Sequence, residues 1–377
     1  DDREQILEPL LDGWVVQGPR VKRFEALFAD FVGAHSAIAC SSGTAALHLA
    51  LAALDIGPGD EVIVPSFTWI ASANAVLYCG ARPILCDVDP DTYNLTVDHI
   101  RPLLTERTRA IIPVHLFGRA APMTEIMTLA ENEGLALVED AACAFGTSLG
   151  GDHVGTMGDF GTFSFHPRKA ITTGEGGMVL ARNENHASRL RALRDHGAER
   201  VNVEATEMAN IRFDHLGFNY RMTDIQGALG CTQMKKARWI LDGRQRRADR
   251  YNRALAHLTE LKRPQCPKDE VHAYQAYVCR LVPDGPGRPM DYANIEQRRD
   301  ALITALAKRG VSTRPGTHAV HTLGYYRQRF GYRPEDLPGS YLAQISSIAL
   351  PLYPQMTDTE QDYVVEVLET CLAQNSL

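Results

Sequence analysis

The stretch from Ser36 to Leu54 reads SAIACSSGTAALHLALAAL. A short apolar run ends at Cys40, small polar residues interrupt it at Ser41 to Thr44, and apolar residues return at helical spacing at Leu47, Leu51 and Leu54. This is a strand passing into a helix through a small-residue turn, and the same rhythm continues. Gly57-Pro58-Gly59-Asp60 marks a turn, Glu61 to Pro65 (EVIVP) a strand, Trp69 to Tyr78 a helix and Pro83 to Val88 a strand. Further strands are predicted over Arg109–Val114, Leu135–Val138, Phe160–Phe165 and Met178–Ala181, with helices over Met123–Glu133 and Asn183–Asp195. Strands that are apolar on both faces are covered by helices on both faces, which predicts an α/β fold with a largely parallel sheet. Ligands in such folds gather at the carboxyl ends of the strands. A long helix is expected from about Thr223 to Leu258, and Pro264-Gln265-Cys266-Pro267 marks a boundary after it. Beyond it, a strand (Ala273–Leu281), a helix (Glu296–Arg309), a strand (Val311–Arg314) and a last helix (Asp358–Leu372) predict a smaller α+β domain, interrupted by a Pro/Gly linker at 283–289. The expected division is 1–245 and 246–377.

Composition narrows the function classes. The chain has 377 residues, 45% apolar and 23% charged, with a net charge of −7. That is ordinary globular composition, and the negative charge argues against a partner bound by neutralising phosphates, so no nucleic acid is expected. The basic residues between Lys235 and Arg253 fall at helical spacing and read as a wet helix face. No apolar run approaches the ~20 residues of a membrane span. The amino terminus, DDREQILEPL, lacks a signal-peptide core, so a cytoplasmic location is the expectation. The eight cysteines contain no C-x-x-C pair and mostly sit among apolar neighbours, which suits buried reduced thiols.

Three groups at expected strand ends carry chemistry. Gly43 and Thr44 open a helix, where free N–H groups and the positive helix end suit an anion; a plain helix cap is the other reading. Asp140 ends the apolar run in LALVED, where it either caps the next turn or pairs with a cationic ring nitrogen. Lys169 lies in SFHPRKAITTGEGG (164–177), between an aromatic run and a glycine-rich turn. It is a surface charge, a phosphate clamp, or a lysine that loses its charge and forms a Schiff base with a carbonyl. Ser164 adds a possible phosphate donor. A phosphate cradle, an acid at a strand end and a lysine beside glycines are together what pyridoxal 5′-phosphate (PLP) requires.

At this point the chain resembles the DegT/DnrJ/EryC1/StrS family of fold-type I PLP aminotransferases, over about Gly13 to Gln361. The motifs that carry the likeness are GWVVQGPRVKRFE, SSGTAALHLAL, GDEVIVPSFTWIASANAV, DVDPDTYNL, IIPVHLFG, VEDAACAFG, SFHPRKAITTGEGGM and GFNYRMTDIQGALG. The resemblance implies a large domain with a mainly parallel seven-stranded sheet. It implies Lys169 as the Schiff-base lysine that also moves the proton, and Asp140 as the partner of the pyridine nitrogen. Gly43, Thr44 and Ser164 match the phosphate cradle and Trp69 the stacking aromatic. Asn219 matches a residue that reaches the phosphate of a neighbouring subunit, which implies a homodimer. Trp14, Arg221 and His318 match substrate contacts, with a structural salt bridge as the other reading of Arg221. The chain departs from the family at Cys143, where Gln is common near the cofactor hydroxyl. His318 and His321 read as substrate contacts or packing, not metal ligands.

The implied reaction has two halves, passing through PLP and its aminated form PMP. L-Glutamate gives its amino group, and a keto sugar receives it. The expected acceptor is a nucleotide-linked 4-keto-6-deoxyhexose, since the wording ITTGEGG is similar to C4-acting members. A lysine at 169 favours transamination, because related sugar dehydratases carry His there. Alternatives are a keto-cyclitol or C3-keto-sugar aminotransferase, and a non-catalytic PLP-binding regulator.

Overall fold

The computed structural model describes residues 2–200, 211–282 and 290–375, so the Pro/Gly linker at 283–289 lies outside the described residues. Helices α1 (Asp2–Leu11) and α2 (Pro19–Val32) precede β1 (Ser36–Cys40) and α3 (Gly43–Ala53). There follow β2 (Glu61–Pro65), α4 (Ala71–Tyr78), β3 (Arg82–Cys86), β4 (Thr108–Ile111), α5 (Met123–Glu133), β5 (Ala136–Asp140), β6 (Phe160–Ser164), β7 (Gly177–Ala181) and α6 (Glu184–Arg194). The long α7 (Asp224–Ala254) leads to β8 (Leu261–Lys262), β9 (Tyr277–Leu281), α8 (Tyr292–Lys308), α9 (Gly324–Phe330), α10 (Pro338–Ser346), β10 (Ser347–Leu350) and α11 (Asp358–Asn375).

Seven strands form one sheet in the order β1-β7-β6-β5-β4-β2-β3, parallel throughout except for β7. The register sets the site. Cys40 lies opposite Gly177, Gly177 opposite Ser164, and Asp140 opposite Thr162. The carboxyl ends of β1, β5 and β6, and the entry into β7, therefore share one edge. Helix α3 is buried nearly all round, which its Ala- and Leu-rich sequence permits. On the other side α2 packs an aromatic cluster against β6 and the lysine loop. Phe28 meets Phe163 edge-on at 5.0 Å, and Phe24 meets Phe165 at 5.0 Å. Phe165 is the last residue before the loop turns, and burial of each such ring is worth roughly 1.5–3 kcal/mol.

Helix α7 begins with a capping box, Thr223 and Gln226 bonding each other's backbone, one residue inside the predicted start. Downstream of it β8, β9 and β10 form an antiparallel sheet over a separate apolar cluster that includes Tyr251, Leu302, Leu306 and Leu368. The strand predicted at Val311–Arg314 is not one. Arg314 makes a single bridge to Ala349 of β10, and Pro315, which has no N–H and restrains its predecessor, stops the ladder there. The strand predicted from Ala273 starts at Tyr277, because Tyr274 adopts a left-handed φ of 45°.

Glu139, the residue before Asp140, is wholly buried. Its carboxylate accepts from His115 Nε2 at 2.9 Å and from the N–H groups of Gly155, Met157 and Gly158 at 2.7–2.8 Å. Ala121 N–H donates to His115 Nδ1 at 3.0 Å, so the ring proton sits on Nε2. Burial opposes ionisation of Glu139, but the bond from His115 and those from the amides outweigh it and hold the carboxyl below its ordinary range. Nearby, burial pushes His153 down to about 4. A depressed Glu contributes stability that is lost as pH falls through its folded pKa. A depressed buried His disfavours the fold once pH falls below its unfolded value, so both act in the same direction. The thermal midpoint should therefore be flat near neutrality and fall with pH below about 6.5, the unfolded histidine value. Glu139→Gln should lower unfolding free energy at pH 7 by roughly 2–3 kcal/mol in urea titration, because one oxygen becomes an NH2 group that leaves buried N–H donors without an acceptor.

Candidate active site

A helix start suited to an anion is built where β1 enters α3. The Ser42 hydroxyl caps the helix by accepting from Ala45 N–H at 3.1 Å. Capping is thus done by Ser42, and Thr44 is free of it. The N–H groups of Gly43 and Thr44, in the first turn, have no intrahelical acceptor and lie at the positive helix end. A Cβ on Gly43 would stand 2.8 Å from Ser164 Cβ, so the cradle between these two strand ends exists only with glycine there. A Cβ on Gly177 would stand 2.3 Å from Ser42 O, which is how the glycines after Lys169 let the lysine loop lie against the α3 turn.

Asp140 is buried at the end of β5. Its Oδ2 accepts from Ser72 Oγ at 2.7 Å and its Oδ1 from Ala142 N–H at 3.1 Å. The second bond is the turn cap anticipated from sequence. A carboxylate has capacity beyond two bonds, so a cationic N–H donor fits as well. Ser72 is itself fixed by Thr68 Oγ1 at 3.1 Å.

Lys169 follows a turn closed by its own N–H donating to His166 O at 2.8 Å, and Thr173 N–H and Thr172 Oγ1 both return to Phe165 O. Its Nζ donates to Cys143 Sγ at 3.0 Å. The lysine amine therefore points to the loop that leaves β5 beside Asp140, and it has no acid partner among the described residues. Cys143 touches the lysine instead of standing apart from it.

Trp69 is 57% exposed, and its ring lies 6.2 Å from that of His318. His318 reaches it because a short pairing, His318 with Thr68 and Ala319 with Phe67, stitches the carboxyl-terminal part onto the loop after β2. His321 is different. It is buried, bonded to Ser66 Oγ at 2.7 Å and Pro334 O at 3.1 Å, and is a packing residue. Arg221 is ion-paired with Asp195, the salt-bridge alternative of the sequence reading. Asn219 is exposed and its side chain bonds nothing among the described residues. Trp14 is exposed in the turn between α1 and α2, its Nε1 donating to Gln17 O at 3.3 Å. Sequence reasoning missed Ser72. Its only signal was a hydroxyl in an apolar helix following the aromatic Trp69.

Comparison with known proteins gives the family. Residues 1–369 match the DegT/DnrJ/EryC1/StrS aminotransferase family. The chain is 39% identical to GDP-perosamine synthase of Caulobacter vibrioides, covering 99% of this chain and 95% of that one. It superposes on the aminotransferase TlmJ of Streptoalloteichus hindustanus with a TM-score of 0.89 at 30% identity, covering 100% and 97% of the two chains. It superposes on Spr1654 of Streptococcus pneumoniae in its PMP form with a TM-score of 0.92 at 26% identity, covering 99% and 97%. The fold and these matches define a PLP-dependent transaminase of fold type I. The chain belongs to the DegT/DnrJ/EryC1/StrS aminotransferase family. Among the described residues no helix is long and apolar enough to cross a membrane.

The residues present fit PLP: a cradle a single Cβ would fill, a buried carboxylate with spare acceptor capacity, and an acid-free lysine between them. Thr44→Val should weaken PLP binding by roughly 5- to 10-fold, the worth of about one hydrogen bond, in a titration of the apoprotein followed by absorbance. A purely structural Thr44 would leave that constant unmoved.

Proposed function

We propose that this protein transfers the amino group of L-glutamate to a nucleotide-linked 4-keto-6-deoxyhexose in amino-sugar biosynthesis. The likeness to GDP-perosamine synthase across 99% of the chain is the observation that carries the acceptor class. The acid-free Lys169 beside the Asp140 loop supports the reaction type.

When bound, PLP supplies an electron sink for the carbanion left as Cα loses its proton. Lys169 Nζ would hold the cofactor at its aldehyde carbon and would move the proton between the donor's Cα and the other reacting carbon. Asp140 keeps the ring nitrogen protonated, oriented by Ser72 and Ala142. Gly43, Thr44 and Ser164 hold the phosphate, and Trp69 offers a flat face to the ring. Cys143 lies beside the lysine where the family more often has an amide. His318 and Trp14 border the sugar. Asn219 serves the phosphate of a neighbouring subunit, which makes the working enzyme a homodimer. In this reading the division near residue 245 separates the cofactor-holding part from the part that carries His318.

A panel of nucleotide-linked and free keto acceptors, each offered with L-glutamate, tests this. The expected result is 2-oxoglutarate release only with a nucleotide-linked 4-keto sugar. Turnover confined to free inososes or 3-keto sugars would replace the acceptor, and a cofactor-loaded protein that exchanges no amino group between glutamate and 2-oxoglutarate would be a binder, not an enzyme. Lys169→Ala should lower turnover by roughly 10³-fold or more, the scale of a lost general acid–base.

A further inference from the structure

The backbone of Asp140 is fixed by the neighbouring strand end, but its side chain is aimed from elsewhere. Oδ2 takes the single proton of Ser72 Oγ at 2.7 Å, because a carboxylate can only accept. Trp69 O, the other acceptor near Ser72 Oγ, is farther at 3.2 Å. With that proton committed, the contact between Thr68 Oγ1 and Ser72 Oγ at 3.1 Å has Thr68 as its donor. The hydroxyls therefore form a directed chain, from Thr68 to Ser72 to Asp140. Thr68 is 1% exposed and Ser72 is 0% exposed, so solvent does not screen it. Valine would fill the place of Thr68 without a buried hydroxyl to satisfy. Thr68 Oγ1 has no other partner among the described residues, so serving Ser72 is what that hydroxyl does.

Both hydroxyls are mounted on one turn. Ser72 N–H donates to Trp69 O at 3.2 Å where the chain enters α4, and Trp69 stands between the two residues in sequence. The carboxyl-terminal part holds the entry to that turn. His318 pairs with Thr68 and Ala319 with Phe67, while Val320 N–H donates to Ser66 O at 2.7 Å. Thr317 Oγ1 donates to Thr68 O at 3.3 Å, and Ser66 Oγ is bonded to His321 Nδ1 at 2.7 Å. Residues 66–68 are thus stitched to residues 317–321 by backbone and side chain alike. His318, which the proposed function places beside the sugar, is paired with the residue whose hydroxyl starts the chain.

We propose that Thr68 and Ser72 are positioning residues for the reaction. Their hydroxyl chain holds the Asp140 carboxylate at a fixed angle to the cofactor's ring nitrogen. It also ties that angle to the seating of the segment that carries His318. This rests on the reading of Asp140 as the partner of the ring nitrogen. Without the chain, the carboxylate keeps only the bond from Ala142 N–H to Oδ1 at 3.1 Å and is free to turn about its last, soft torsion.

The test uses holoprotein whose cofactor is isotope-labelled at the ring nitrogen, read by NMR, and the half-reaction with L-glutamate alone, read by absorbance. The wild type should give the signal of a protonated ring nitrogen near neutral pH. Ser72→Ala should move that signal toward the unprotonated position. It should slow the saturated half-reaction by roughly 10- to 100-fold, the worth of a hydrogen bond to a charged group. Thr68→Val should shift the signal the same way and slow the half-reaction by roughly 3- to 10-fold, the worth of a neutral hydrogen bond. Thr68→Ser, which keeps the hydroxyl, should recover both. The half-saturating glutamate concentration should move by less than about threefold throughout, since neither residue is assigned a contact with the donor. A ring-nitrogen signal and rate unchanged in both Ser72→Ala and Thr68→Val would overturn the proposal. So would a Thr68→Ser variant as impaired as Thr68→Val, which would give the effect to packing. A wild-type holoprotein with an unprotonated ring nitrogen would strike the Asp140 reading itself.

Discussion

Glu139 carries a charge in a place water does not reach, and that charge is answered by one histidine and three backbone amides. The amides belong to the 155–158 turn and the histidine to the segment after β4, so one carboxylate fastens β5 to both its flanks. The next residue in the chain is Asp140. Its own backbone is fixed from the neighbouring strand end, its N–H donating to Pro113 O at 2.8 Å and its O accepting from His115 N–H at 3.0 Å. The carboxylate of Asp140 is thus positioned by a structural one. Removing the second would loosen the first even though no reacting group touches it.

The rest of the site is a consequence of register. Because β7 runs against its neighbours, the chain can leave β6 at Ser164, form the lysine loop and re-enter the same edge at Gly177. That places Lys169 between the α3 turn and the loop after β5 without any long connection crossing the sheet. The aromatic cluster of Phe24, Phe28, Phe163 and Phe165 supports the loop from beneath. The carboxyl-terminal part closes the other side through the pairing of His318 with Thr68. In the proposed function, amide donors, a carboxylate, an amine and a flat indole serve one cofactor.

Much of this was legible along the chain, for identifiable reasons. Strands β1 and β2 were readable because each is a short apolar run bounded by turn residues, and the Asn183 cap of α6 was readable because its side chain acts on His186, three residues on. The junctions where Lys169, Asp140, Gly43 and Thr44 stand were readable because two periodic patterns meet at each. The illegible features depend on distance in sequence. Ser72 and Asp140 are 68 residues apart, and no local pattern pairs them. Helix α10 and strand β10 were missed because the chain passes from one to the other at Ser346 and Ser347 inside an apolar run, with no glycine or proline to mark the change.

Where the cofactor is joined to the chain decides the role of Lys169. Holoprotein reduced with borohydride, digested and mapped by mass should carry a single pyridoxyl group, on the lysine of the peptide containing Ser164 to Gly177. A group on any other lysine, or none on a protein that binds PLP, would contradict the central claim.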